Sequence, residues 1–236
     1  MLPTTVIQER NFGDTCKKLT PQYLRDIIQT MYTGCLYLLI DGDKISGEVA
    51  PNKGLKQGCP LSPLLYSLYK NDIDNFLTVQ RGAATALDSV QIPHCDYADD
   101  IALTSNTAEN LQLQLNKSYD YTRFKGLKLN TDKTKVMVFF SRSNPAIPTF
   151  TYDGTSLELV TEFKYLGITL TRDKSMLTAA EKMAHNFRSA IARVYRIGDS
   201  KGIKHRKQLL WVFQVFALTA GLYGCQVCKS HFFSDI

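Results

Sequence analysis

The chain has 236 residues, of which 44% are hydrophobic and 21% charged. Those proportions exclude a disordered tail, a collagen-like repeat and a coiled-coil rod, and they allow one large domain or one and a half. The formal charge of +6 is unevenly spread: residues 1–160 carry 16 Lys and Arg against 17 Asp and Glu, whereas residues 161–236 carry 12 against 5. A near-neutral body with a basic C-terminal segment suits either a polyanion-binding flank or a solvated helical surface.

In chain order, the spacing predicts a helix from Leu19 to Thr33, capped by Thr20, with Pro21 in its first turn and Leu24, Ile27, Ile28 and Met31 on one face. A hairpin follows, with CLYLLI as one strand, Asp41-Gly42-Asp43 as the turn and Lys44 to Ala50 as the return. Pro51 and Gly54 end it. The loop NKGLKQGCPLSP then leads into one helix carrying Leu61, Leu64, Leu65, Leu68, Phe76 and Leu77. A second hairpin is centred on Tyr97-Ala98-Asp99-Asp100, between Ile92 and Leu103. A helix from Asn106 to Phe124 comes next, with Asn106 and Glu109 as a capping pair, a stripe of Leu111, Leu115 and Tyr119, and Gly126 as C-cap. Val136–Phe140 (VMVFF) reads as a strand buried on both faces. Two short strands flank Asp153-Gly154, and FKYLGITL is a further strand. From Ser175 the pattern is helical, with Leu177, Ala180, Ala184, Phe187, Ile191 and Val194 on one side and Lys182, Arg188, Arg193 and Arg196 largely on the other.

The expected fold class is therefore α+β, with helices packed on an antiparallel sheet and a boundary near Thr171–Lys174. The apolar run from Leu209 to Tyr223 is interrupted by Gln214 and Thr219 and is shorter than the ~20 residues a membrane span needs, so it reads as a buried helix and no membrane partner is expected. MLPTTVIQER lacks the basic and apolar regions of a signal peptide. The six cysteines accordingly read as reduced thiols of an intracellular chain, in nucleus or cytoplasm. Cys225 and Cys228, with His231 as the one nearby candidate, fall short of the ligands a structural zinc needs.

Two features carry chemistry. Asp99 and Asp100 stand side by side at a turn and repel each other, so the turn is solvated or neutralised by a cation. Apolar flanks at Cys95 and Ile101–Leu103 anchor such a hairpin in a core and favour a hard cation at its tip. In the loop Gly54–Pro63, two glycines four apart permit close approach of a ligand to the backbone, Gln57 offers a donor and an acceptor, and Pro60 and Pro63 stiffen the start of a helix whose N-terminus favours phosphate.

Together GLKQGCPLSPLLYSLY, YADDIAL, GLKLNTDKTKVMVF and FKYLGITL resemble, in order and spacing, the reverse-transcriptase domain of non-LTR (long-interspersed-element-type) retrotransposons, over roughly residues 19–225. The ending GLYGCQVC resembles the family's thumb ending more loosely. The resemblance implies a right-hand polymerase: partial fingers and palm over 1–171 and a basic helical thumb over 172–236. It implies that Asp99 and Asp100 hold Mg2+ (or Mn2+), with Asp99 the more direct ligand. Tyr97 would border the incoming nucleotide and primer end, while Gln57, Gly58 and Pro60 would contact template and nucleotide. Asn130 and Lys133 match the block after the palm helix, where Lys133 would lie near the triphosphate and help protonate pyrophosphate. Phe163, Tyr165, Leu166 and Gly167 match the primer grip, and Arg188, Arg193 and Arg196 would hold the RNA–DNA duplex through phosphates. The implied partners are an RNA template, a DNA primer and deoxynucleoside triphosphates; oligomeric state is open.

The family's first catalytic Asp sits on an upstream strand in a block reading like AFD. Here the acids upstream of the first helix are Glu9 and Asp14, and FGDT does not match that block. The expectation is an N-terminally truncated domain that does not extend a primer. The alternatives are a non-catalytic nucleic-acid-binding remnant, a maturase- or telomerase-like relative and, from a different class, a metal-dependent nuclease or phosphatase, which leaves the GLKQGCPLSP and FKYLG blocks unexplained.

Overall fold

The computed structural model describes residues 20–50, 54–77, 85–87, 90–139, 147–203 and 205–227. The chain packs as two units, one from residues 1–134 and 147–157, the other from 135–146 and 158–236. Glu9, Asp14, Phe140, Pro51, Cys228 and His231 lie outside the described residues.

In the first unit, α1 (Gln22–Tyr32) starts at Pro21 with no side-chain cap, which corrects the expected Thr20 cap. Its Leu24, Ile27 and Met31 are exposed rather than packed in a core. β1 (Ile40–Asp41) and β2 (Lys44–Ile45) pair around a two-residue turn whose Gly42 has φ 59°, and a Tyr37–Val49 bridge extends the ladder. The expected single helix after the Gly/Pro loop is two: α2 (Ser62–Tyr69) and α3 (Ile73–Leu77). The break has a cause. Lys70 leaves the helix at φ −89°, ψ 0°, and the Lys70 and Asp72 side chains turn away to bind Asp96 and Lys125.

β3 (Thr85–Leu87) and β4 (Val90–Ile92) form a hairpin that the pattern did not announce. β5 (His94–Tyr97) and β6 (Asp100–Leu103) form the expected acidic hairpin. α4 (Ala108–Lys125) is capped by Thr107, whose Oγ1 accepts from the Asn110 N–H at 3.3 Å, so the cap lies one residue beyond the expected Asn106. Gly126 closes the helix at φ 65°, as expected. Ile73, Leu77 and Tyr121 form a core against which Phe76, Ile101, Leu103 and Leu127 pack, so α3, α4 and the inner face of β6 share one apolar cluster. β7 (Lys135–Val136) belongs to the other unit. β8 (Thr151–Tyr152) and β9 (Thr155–Ser156) flank Asp153 (φ 51°) and Gly154 (φ 73°), the left-handed pair that an Asp-Gly turn allows. Gln112 on α4 holds this hairpin, donating to Thr151 O (2.8 Å) and accepting from Thr151 N–H (2.9 Å).

Lys125 is 1% exposed. Its ammonium lies 2.7 Å from Asp72 Oδ2 and about 5 Å over the Tyr69 ring, with the Tyr121 and Phe124 rings at 5.8 Å. Tyr121 Oη donates to Asp72 Oδ1, and Tyr69 Oη donates to the Lys125 carbonyl.

In the second unit β7 pairs in parallel with β10 (Glu158–Leu159). The expected five-residue strand is only two long: Val136 is buried and Phe139 is exposed. FKYLGITL is a hairpin rather than one strand, β11 (Glu162–Tyr165) and β12 (Ile168–Thr171), because Leu166 (φ 45°) and Gly167 (φ 82°) reverse the chain. Among the described residues the strands pair as separate two-stranded ladders, not as one antiparallel sheet. α5 (Leu177–Ser200) buries Ala179, Met183, Val194 and Gly198, while the expected core residue Leu177 is exposed. α6 (Arg206–Val212), a π-helical turn (Phe213–Leu218) and α7 (Thr219–Leu222) follow. Val194, Val212 and Ala217 form their core, with Phe187, Ile191 and Phe213 against it. The expectation of a short, buried helix here is corrected. The segment Arg206–Val227 is long and apolar enough to cross a membrane by length and composition alone, and Leu210, Trp211, Phe216 and Leu222 are exposed.

Asp72→Ala would leave the Lys125 ammonium buried without its carboxylate. A loss of about 3 kcal/mol is expected, read as a lower urea midpoint, whereas Asp120→Ala on the exposed face of α4 should cost under about 0.5 kcal/mol.

Candidate active site

The β5–β6 hairpin carries the acidic pair. Tyr97 faces Asp100 across the ladder, and Ala98 and Asp99 make the turn. Ala98 takes φ 52°, a left-handed conformation that glycine adopts freely and alanine at a cost. The tip is open: Tyr97 is 64% exposed, and Asp99 and Asp100 are exposed too. The base is closed. Ile101 and Leu103 enter the α3–α4 core, and the buried Gln114 of α4 donates to Thr104 O at 3.1 Å. Cys95, expected in that core, is exposed, because its side of the strand faces away from it.

Sequence reasoning missed the groups that pack along the hairpin below the tip. Lys70, 6% exposed, ends α2 and places its ammonium 3.3 Å from Asp96 Oδ2 and 5.2 Å over the Tyr66 ring. His94 Nε2 lies 3.2 Å from Asp74 Oδ1 and 3.9 Å from Asp96 Oδ1, and its buried Nδ1 has no hydrogen-bond partner among the described residues. Burial, then the negative charges of Asp99 and Asp96, push the Tyr66 phenol up to about 12. That coupling places Tyr66 in the field of the carboxylate turn. The available signal was the four-residue spacing of Tyr66 and Lys70 on the helix after the loop.

Lys70 answers Asp96, which leaves Asp99 and Asp100 as two exposed hard-oxygen donors. Among the described residues no set of three His, Cys, Asp or Glu groups could hold a metal ion. The pair fits a Mg2+ that keeps several waters or phosphate oxygens, not an all-protein cage.

The Gly/Pro loop lies against α1. Lys56 Nζ donates to Met31 O at 2.6 Å and sits 5.1 Å over the Tyr32 ring, and Ser62 Oγ donates to Lys56 O at 2.7 Å. Gln57, Gly58 and Pro60 are exposed on it. Gly58 takes φ 81°, with nothing within 4 Å of where a Cβ would stand, so its surroundings leave room for a ligand. The Leu61 backbone N–H holds the Cys59 thiol below its ordinary range; burial opposes this, and the Tyr32 and Ser62 hydroxyls add to it.

After α4, the Asn130 side chain accepts from the Lys133 backbone N–H at 3.2 Å, and both residues are exposed. No hydrogen bond or ion pair among the described residues joins Lys133 to Asp99 or Asp100. In the second unit Phe163, Tyr165 and Leu166 are half-buried on the β11–β12 hairpin and Gly167 is exposed. Arg188, Arg193 and Arg196 are exposed on α5, while Lys182 is engaged by Glu162.

The Tyr66 shift fixes a pH dependence. Its folded pKa stands above the unfolded value near 10, so its contribution to stability is complete below pH 10 and is lost as pH rises through about 12. Tyr66→Phe should flatten the fall in urea midpoint between pH 10 and 12.

Residues 13–170 match the family described as reverse transcriptase (RNA-dependent DNA polymerase). The chain is 31% identical over 159 residues to the Retrovirus-related Pol polyprotein from type-2 retrotransposable element R2DM of Drosophila melanogaster, covering 64% of this chain and 15% of that protein. It is 29% identical over 183 residues to the RNA-directed DNA polymerase from mobile element jockey of Drosophila funebris, covering 75% and 19%. It is 22% identical over 226 residues to the probable RNA-directed DNA polymerase from transposon X-element of Drosophila melanogaster, covering 88% and 24%. The chain thus spans about a sixth to a quarter of the length of these relatives. The four sequence blocks, the α+β architecture and these matches agree: the chain belongs to the reverse-transcriptase family, in its non-LTR retrotransposon branch.

Proposed function

We propose that this chain is the nucleotidyl-transfer part of an RNA-directed DNA polymerase, acting inside the cell on an RNA template, a DNA primer and deoxynucleoside triphosphates. The observation that carries this reading is the β5–β6 hairpin, which projects Asp99 and Asp100 into solvent from a strained turn whose base is fixed in the core. When bound there, Mg2+ or Mn2+ supplies charge neutralisation for the attacking 3′-hydroxyl and the leaving pyrophosphate.

The chain's own residues do the rest. Asp99 and Asp100 hold the cation, and Lys70 keeps Asp96 neutralised so that the two outer carboxylates set the charge of the turn. Tyr97, paired with Asp100, borders the nucleotide and primer end. Gln57 and Gly58 meet template and nucleotide from the loop that Lys56 and Ser62 hold in place, and Pro60 stiffens that loop. Lys133, on the turn shaped by Asn130, answers the triphosphate charge. Phe163, Tyr165, Leu166 and Gly167 form the primer grip. Partial fingers and palm occupy 1–171 and the thumb 172–236, where Arg188, Arg193 and Arg196 contact duplex phosphates.

A second reading follows from the donor set. With two carboxylates and no third group converging among the described residues, the chain by itself binds template–primer without extending it. Losing one carboxylate from such a site removes most of the rate, because phosphoryl transfer rests on positioning and charge neutralisation. Primer extension with Mg2+ or Mn2+ decides between the two: the second reading expects no product, whereas robust extension abolished by Asp99→Ala would establish a complete site within this chain. Replacing Arg188, Arg193 and Arg196 together with Ala should weaken duplex binding. The slope of log affinity against log salt should fall by about 0.9 for each phosphate that is no longer neutralised. An unchanged slope would mark that face as solvated surface.

A further inference from the structure

The segment Gly221–Cys225, in the block GLYGCQVC, closes on the β11–β12 hairpin. Tyr223 ends α7 by turning extended, at φ −62°, ψ 121°. Its Oη donates to the Leu166 carbonyl. Its ring lies on Gly167, where a Cβ would stand 2.9 Å from Tyr223 Cε1. The next residue, Gly224, takes φ 75° and abuts the Ile168 side chain, where a Cβ would meet Cδ1 at 3.1 Å. Cys225 joins Ile168 in the cluster built on Ala179 and Met183. Upstream, Gly221 lies so close to Phe187 of α5 that a Cβ would overlap the ring at 2.5 Å, which seats the helix end. Three successive residues therefore grip three successive residues of the hairpin.

The turn they grip is strained. Leu166 takes φ 45°, where a branched side chain is disfavoured and where Asn, Asp or Gly is the usual choice. Such a conformation persists where its surroundings over-determine it, and it gathers at functional positions. The hydroxyl of Tyr223 fixes the peptide that carries the strain. Gly167 serves twice: it supplies the second left-handed residue and leaves room for the ring.

We propose that Tyr223 is a positioning residue for the primer terminus, acting through the Leu166–Gly167 turn, so that the end of the C-terminal helical segment sets the tip of the primer grip. This rests on the polymerase reading above and adds a residue that acts without touching substrate.

The test uses the full chain and Tyr223→Phe, which keeps the ring on Gly167 and removes the hydroxyl. Amide hydrogen exchange probes the clamp without nucleic acid: Gly167 and Ile168 should exchange about fivefold faster in the variant, the size of one lost hydrogen bond, and unchanged exchange overturns the clamp. An RNA template–DNA primer duplex with 2-aminopurine as the terminal primer base, or at an interior base, probes positioning. The variant should keep duplex affinity within about twofold, because the phosphate contacts are untouched, lose most of the fluorescence change at the terminal base and keep it at the interior one. A general loss of structure would instead lower affinity and both signals together and would overturn the positioning role. Faster exchange with a wild-type terminal signal also overturns it. Failure of the unmodified chain to bind the duplex, with the exchange result as expected, overturns the polymerase reading and the positioning role with it, while leaving the clamp standing.

Discussion

A single buried ammonium organises the first unit. Lys125 is the last residue of α4, immediately before the left-handed Gly126. Its ammonium binds Asp72 in the link between α2 and α3 and lies over the rings of Tyr69, Tyr121 and Phe124, and its carbonyl receives the Tyr69 hydroxyl from the end of α2. Desolvating such a pair offsets much of its Coulomb gain, so its net contribution to stability is modest. What it supplies is direction. The helix stops after Tyr69, and from that stop Asp72 reaches Lys125 while Lys70 turns toward Asp96. The charge balance beneath the Asp99–Asp100 turn is thus set by a residue that takes no part in the turn itself.

The strain map points the same way. Four described residues other than glycine take left-handed conformations: Ala98, Asp153, Leu166 and Lys174. Asp153 precedes a glycine in an ordinary Asp-Gly hairpin and needs no further account. Ala98 and Leu166 have no such chemistry, and each is held by a partner: the hairpin of Ala98 by its core-anchored base, and the carbonyl of Leu166 by Tyr223. Both stand in the sequence blocks that carry the family resemblance, so unfavourable backbone coincides with candidate function.

How much of this was legible in the residues follows from range. Features decided within a few positions could be read: the acidic hairpin, the Asp-Gly hairpin, the Gly126 cap and the exposed basic positions of α5. Features decided by distant partners could not. At the α2–α3 break, Lys70 meets a carboxylate 26 positions away and Asp72 an ammonium 53 positions away; the local signal is Asn71-Asp72, a turn-favouring pair that the run of apolar spacing masked. FKYLGITL looked like one strand because Leu is not a turn residue; it reverses at Leu166 and Gly167, and Tyr223, 57 residues on, donates to the Leu166 carbonyl. VMVFF has the composition of a central strand, but its parallel partner, Glu158–Leu159, pairs with Lys135 and Val136 and so covers one residue of it. The site's carboxylates were visible as an adjacent pair, whereas Tyr66, Lys70 and His94 were not, since their meaning comes from what they face across the fold. The family, by contrast, was legible in full, because the four blocks carry it whatever the folding of the segments between them.

Charge divides the work between the two units. Around the β5–β6 turn the carboxylates Asp96, Asp99 and Asp100 stand against the buried ammonium of Lys70, so a polyanion meets repulsion there unless a divalent cation comes with it. On α5 the reverse holds. Glu162 takes up Lys182, but Arg188, Arg193 and Arg196 keep their guanidinium groups toward solvent, on a segment with 12 basic and 5 acidic residues. Guanidinium suits phosphate and is little desolvated on binding it. Under the proposed function, dependence on the metal would come from two oxygens at a strained turn and dependence on monovalent salt from a helix face, so the two would arise from different units of the chain. Under that proposal, a nucleic acid that satisfies the helix without a cation at the turn would be held but left unreacted.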